Sequence, residues 1–157
     1  MVDIQACESY EKELILQKIQ TVFAVHGGIE KFAAPGKKVV IKPNLVSKKK
    51  PEAAATTHPS LVWAVAKLCR AQGAEVIIAE SPGGVYEKNI LQGIYRVTGM
   101  EQAAVESGAM LNFDLSEKTV KNGDAMYLKS LEILTPVAEA DTVINISKLK
   151  THGMMVY

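Results

Sequence analysis

The sequence predicts an α/β domain whose mainly parallel sheet is flanked by helices, and three observations predict it. First, β-branched runs at "KKVVIKPN" (37–44), "AEVIIAE" (74–80) and "DTVINIS" (141–147) are separated by segments with helical apolar spacing. Second, a helix-length segment joins the first two runs, the kind of connection parallel neighbours need. Third, the strongest hairpin signal, Asn122-Gly123, lies between two β-compatible runs and confines antiparallel pairing to one hairpin near residues 118–128.

Each element has a local cause. Residues 2–7, "VDIQAC", are β-compatible and predict a short first strand, with Cys7 packed at its end. Ser9 then offers an N-cap, with Glu11 and Glu13 in the first turn. Ile15, Ile19, Val22 and Phe23 repeat at helical spacing until Gly27-Gly28 closes the helix. Pro43 ends the strand at 37–44 because proline cannot donate to a ladder. Pro59 opens a helix with Leu61, Val65, Leu68 and Cys69 on one face, and Gly73 stops it. After "SPGGVY", Ile90, Leu91, Ile94 and Val97 mark a third helix, broken at Gly99 and followed by a short fourth over 100–107. "AMLNF" (109–113) predicts a strand, Pro136–Ala140 allows one helical turn, and "DTVINIS" is the last strand.

Composition bounds the function classes. A chain of 157 residues with 48% hydrophobic and 22% charged residues and a net charge of +1 suits a single globular domain. That charge balance, with no aromatic residues interleaved among Lys48-Lys49-Lys50, argues against a nucleic-acid partner. No stretch has the length or apolarity of a membrane span or a secretory leader, so a cytoplasmic protein without a membrane partner is expected. Cys7 and Cys69 are the only cysteines, which rules out C-x-x-C metal spacing.

In parallel sheets ligands bind beyond the carboxyl ends of the strands. That rule gathers "KPN" (42–44), "ESPGG" (80–84), "FD" (113–114) and "SKLKTHG" (147–153) on one rim. Lys42, Lys148 and Lys150 can neutralise a phosphate or carboxylate there, and Asn44 can hydrogen-bond it. Ser81, Gly83 and Gly84 can offer backbone N–H groups beside a helix N-terminus, although a plain turn explains the glycines equally well. His58, in "TTHP", is either a ligand contact or a structural residue at the helix start. His152 follows the last strand. His58, His152 and Glu80 have the chemistry of a mixed metal site or an acid–base pair, but spacing alone does not bring them together. No nucleophile elbow is present, and Asp114 and Asp141 read as turn or cap residues.

"VVIKPNLVS" (39–47), "TTHPSLVWAVAKLCRAQGAEVIIAESPGG" (56–84) and "EADTVINISKLKTHGM" (139–154) resemble the family called domain of unknown function 362. The resemblance implies an N-terminal part of a longer domain, often accompanied in cis or trans by ferredoxin-like modules that bind [4Fe-4S] clusters. This chain lacks the cysteine-rich run such a cluster needs, so no cluster is assigned to its residues. The layout of 56–80 is also similar to the N-terminal domain of lactate-racemase-like proteins, which use a nickel pincer nucleotide, without a one-for-one match of motif residues. Two functional readings follow. One is a domain binding a small anionic or phosphorylated ligand within a redox-linked protein. The other is a non-catalytic accessory domain docking an electron-transfer partner, with a homo-oligomer through its truncated edge as a further partner.

Overall fold

Val39, Val40 and Ile41 are fully buried, so strand β1 (Lys38–Pro43) is apolar on both faces and takes the centre of a sheet. The computed structural model describes residues 1–152; Gly153 of the Lys-Thr-His-Gly segment lies outside the described residues. Strands β2 (Glu75–Ile78), β3 (Met110–Leu111) and β6 (Thr142–Ile146) complete a four-stranded sheet of order β3-β2-β1-β6. Every pairing in it is parallel, with Val39 opposite both Val76 and Thr142. A separate antiparallel pair is formed by β4 (Glu117–Lys121) and β5 (Ser130–Leu134).

Helix α1 (Lys12–Val25) precedes the sheet, and α2 (Pro59–Ala71), α3 (Lys88–Val97), α4 (Met100–Ser107) and the single turn α5 (Thr135–Ala138) lie in the connections between strands. Pro59 at the first turn of α2 needs no N–H partner, and Gly73, at φ 80°, reverses the chain just beyond the helix. Val62, Val65, Ala66 and Cys69 of α2 pack with Val39, Ile41, Val76 and Ile78 in the main core. Each Val or Ile side chain among these contributes about 1.5–3 kcal/mol of burial. Because α2 also contacts α1 and α4, Trp63 and Ala64 are buried on a second side, among Ile15 and Ala103. The buried surface of α2 is therefore wider than the predicted stripe, and Leu61 and Leu68 are only half-buried.

The predicted α/β class and parallel sheet are observed, and four local expectations are corrected. Residues 2–7 form no strand: Val2 and Ile4 are exposed, Cys7 is exposed, and among the described residues no edge pairs with them. The cap of α1 is Glu11, whose carboxylate accepts the Leu14 N–H at 2.9 Å, while Ser9 Oγ accepts the Glu11 N–H. β3 is two residues long because the Asn112 amide turns onto Asp114, accepting its N–H and donating to its carbonyl. The hairpin runs further than Asn122-Gly123 suggested. Leu134 must be buried, and that fixes its pairing with Glu117; the second strand is 130–134, and residues 122–129 form the tip.

Burial pushes the Cys69 thiol up to about 11, whereas Cys7 lies in solvent. Ellman's reagent is expected to titrate one thiol in the folded protein and a second only after denaturation. Two rapidly reacting thiols in the native state would contradict the packing of α2 on the sheet.

Candidate functional site

The chain passes from β1 to β2 and β3 on one side, then returns to the other side of β1 as β6. The carboxyl ends of β1 and β6, beside which the strand order reverses, are the position where open α/β sheets take ligands. Thr57 ties these two strand ends together. Its hydroxyl accepts the Asn44 N–H at 2.9 Å and donates to the Ile146 carbonyl at 2.6 Å, and its own N–H donates to the Asn44 carbonyl. At the opposite end of the same strand pair, Asp141 accepts the Lys38 N–H at 2.9 Å and pairs with Lys37 at 3.0 Å. The backbone bond and both lysines hold its carboxyl below the usual range.

A second set of contacts binds the carboxyl ends of β1 and β2. The Glu80 carboxylate, 5% exposed, pairs with Lys42 Nζ at 3.0 Å and accepts the N–H groups of Leu45 at 3.1 Å and Ser81 at 2.9 Å. Its backbone carbonyl accepts the Tyr86 hydroxyl. Lys42 thus has an internal partner. A cleft of about 220 Å³ separates this cluster from Glu117, Glu132, Leu134 and Val137. Burial raises the Tyr86 phenol, and the carboxylates of Glu80, Asp114 and Glu117 add to that rise. This flank of the rim is acidic.

His58 is the N-cap of α2. Its Nδ1 accepts the Ser60 N–H at 3.2 Å and its ring stacks on Tyr10 at 3.8 Å, so the neutral imidazole carries its proton on Nε2. Its observed contacts are those of a structural residue at the helix start. Burial lowers its affinity for a proton; Glu52 opposes this, and Lys148 reinforces it. Lys148 therefore brings positive charge to the N-terminal end of α2. Lys148 and Lys150 are half-buried in the segment after β6, and among the described residues neither pairs with a carboxylate. His152 is exposed in the same segment.

Ser81, Gly83 and Gly84 lie in an exposed bend, and a Cβ on either glycine would meet nothing within 4 Å. Gly84 has φ 95°, which accounts for one glycine as a turn requirement. α3 begins later, at Lys88, behind an acidic Glu87. The structure thus joins Lys42 to Ser81 through Glu80, and joins Asn44 to the end of β6 through Thr57. Glu80 and His58 hold different partners, and among the described residues no group of three or more His, Cys, Asp or Glu could hold a metal ion.

Thr57 was missed as a site-building residue, since its Ile146 partner lies 89 positions away. Thr56 was missed as well. It is 1% exposed, and among the described residues its buried hydroxyl has no partner, nor does the buried Asn44 Oδ1. The one available signal was a pair of threonines ahead of a helix-opening proline, which reads most simply as capping.

Replacing Thr57 by valine leaves the Asn44 N–H and the Ile146 carbonyl unpaired, and is expected to cost about 1–3 kcal/mol in urea denaturation. Thr57→Ser should keep most of that stability; equal losses would assign the effect to the methyl group. The depressed affinity of His58 for protons has a definite sign. Below about pH 6.5 the unfolded chain protonates before the folded one, so stability falls with pH in the window just under that value. His58→Asn, which retains a capping acceptor, is expected to show a flatter decline in melting temperature between about pH 7 and about pH 5. Parallel declines would remove His58 from the account.

Comparison with known proteins assigns the chain to a family. Residues 39–157 match the model of "Domain of unknown function (DUF362)". The chain is also 27% identical over 159 positions to the thylakoid-associated protein sll1697 of Synechocystis sp., an alignment spanning 98% of this chain and 46% of that protein. The chain thus spans about half the length of this curated relative. No solved structure matches. The family match takes in β1, the Thr57 clip, the Glu80 cluster and the polar segment after β6, and this chain belongs to the DUF362 family.

Proposed function

We propose that this domain binds a small anionic or phosphorylated ligand at the carboxyl ends of β1 and β6. The observation that carries the reading is the buried Thr56 hydroxyl, which has no hydrogen-bond partner among the described residues and neighbours Thr57, the residue that joins β1 to β6. Leaving such a group unsatisfied costs about 1–3 kcal/mol, a cost that a ligand oxygen accepting its proton would remove. Asn44 Oδ1, just beyond the end of β1 and unpartnered among the described residues, suits a ligand hydroxyl. Lys148, Lys150 and the positive end of the α2 dipole supply the charge. Ser81, Gly83 and Gly84 belong to the opposite, acidic flank and have a lesser part. The link to a redox protein with ferredoxin-like modules is supported by the family resemblance alone.

A second reading concerns where the domain works. The relative in Synechocystis is named a thylakoid-associated protein, and the β4–β5 tip of this chain exposes apolar side chains flanked by lysines. Contact with a membrane surface agrees with both, and departs from the expectation of no membrane partner. It requires no spanning segment, and among the described residues no helix is long and apolar enough to cross a membrane.

A thermal-shift screen of inorganic phosphate, nucleoside monophosphates and hydroxy-acids, with and without nickel, zinc or iron, tests the ligand reading. A ligand at a hundredfold excess over its Kd adds about 2.7 kcal/mol, a rise of roughly 5–10 °C for a chain of this size. The double variant Lys148→Ala/Lys150→Ala is expected to weaken that ligand at least about tenfold while leaving the free protein's melting temperature unchanged. Lys42→Ala is the poorer probe. It strips the buried Glu80 carboxylate of its cation and is expected to cost about 1–3 kcal/mol of stability by itself. Absence of stabilisation by every ligand class, or full affinity in the Lys148/Lys150 variant, would rule the site out.

A further inference from the structure

We propose that the tip of the β4–β5 hairpin is a contact finger for anionic lipid surfaces, an inference that rests on the membrane reading above and assigns it to named residues. The last paired residues of the ribbon are Lys121 and Ser130, and the Asn122 N–H closes the base by donating to the Lys129 carbonyl at 2.9 Å. Beyond that point the Asn122 carboxamide accepts the Asp124 N–H and its carbonyl accepts the Ala125 N–H. That local turn shapes the tip from its own backbone and the Asn122 side chain. Met126, Tyr127 and Leu128 are then 83%, 87% and 64% exposed. Val120 and Leu131, opposite one another on the ribbon, are also exposed and extend the apolar surface towards the base.

The charges around this tip select the partner. Lys121 and Lys129 flank the apolar residues, and among the described residues neither is paired with a carboxylate. Asp124 offsets one of them, and the tip carries a net positive charge. Three consecutive apolar residues between lysines suit a bilayer interface: the side chains enter the headgroup–acyl boundary, the tyrosine hydroxyl stays at headgroup level, and the ammonium groups meet anionic lipids. A protein partner fits less well. A stable protein interface buries about 800 Å² on each side, more than a loop of this length offers, whereas a bilayer needs no matching shape.

Co-sedimentation of the full chain with vesicles tests this, using phosphatidylcholine alone or mixed with phosphatidylglycerol. The mixed vesicles are expected to bind roughly fivefold or more tightly, with the difference shrinking at high salt. Tyr127→Ser/Leu128→Ser is expected to abolish binding to both kinds of vesicle. Lys121→Gln/Lys129→Gln should reduce binding to the mixed vesicles to the phosphatidylcholine level. All four positions are exposed, and unchanged circular dichroism and melting temperature confirm folding; Met126→Asp tests the same contact by a single exposed change. If the wild-type chain binds neither vesicle, the membrane reading itself fails. Wild-type binding that survives in both apolar variants overturns the tip assignment and leaves the membrane reading standing. A protein captured through the tip by a chain that binds no vesicle also overturns the proposal.

Discussion

The junction of β1 with β6 is the constraint on which the candidate site depends. Parallel strands cannot be joined by a tight turn, so the two are brought together by a connection that includes the rest of the sheet and the hairpin. Side chains lock both ends of the pair: Asp141 at the amino end and Thr57 at the carboxyl end. Each uses backbone groups of one strand or both, so relative sliding would break side-chain and ladder bonds together. The two strand ends at the rim are held in fixed register for that reason.

Glu80 does for β1 and β2 what Thr57 does for β1 and β6, with a different electrostatic result. Its carboxylate is surrounded by one cation and two N–H groups, a set that compensates a buried negative charge well. Having committed Lys42 to that role, the flank beside the hairpin is left with Glu117 and Glu132 facing the cleft. Positive charge that has no carboxylate partner among the described residues lies instead after β6, at Lys148 and Lys150. The rim therefore has a charge gradient across the width of the sheet, and that gradient, more than any deep cavity, distinguishes its two flanks.

Much of this fold is legible in local sequence. Pro59, Gly73 and Gly99 mark helix ends for reasons contained in their own backbones, and the β-branched runs of β1, β2 and β6 announce buried strands. The failures arise where a residue's fate is decided by a distant partner. Residues 2–7 have strand-like composition but no edge to join. The register of β5 is set by burial of Leu134, which outweighs the local preference for a tight Asn122-Gly123 turn. Around the site, the rim was found by rule, because parallel strands place their carboxyl ends together. Which rim residues are engaged and which are left free could not be read, since the Lys42–Glu80 and Thr57–Ile146 contacts span 38 and 89 positions. His58 shows both sides of this: its place before Pro59 makes a cap legible, while the stacked Tyr10 is not.

The pairing of Val39 with Thr142 and of Pro43 with Ile146 also bears on the order of folding events. Contacts that close a loop of about a hundred residues carry a large entropic cost and tend to form late. The segment holding Lys148 and Lys150 is delivered by β6, so the candidate site is assembled only once that strand has paired with β1. Formation of the helical core and assembly of the candidate site are therefore separable events.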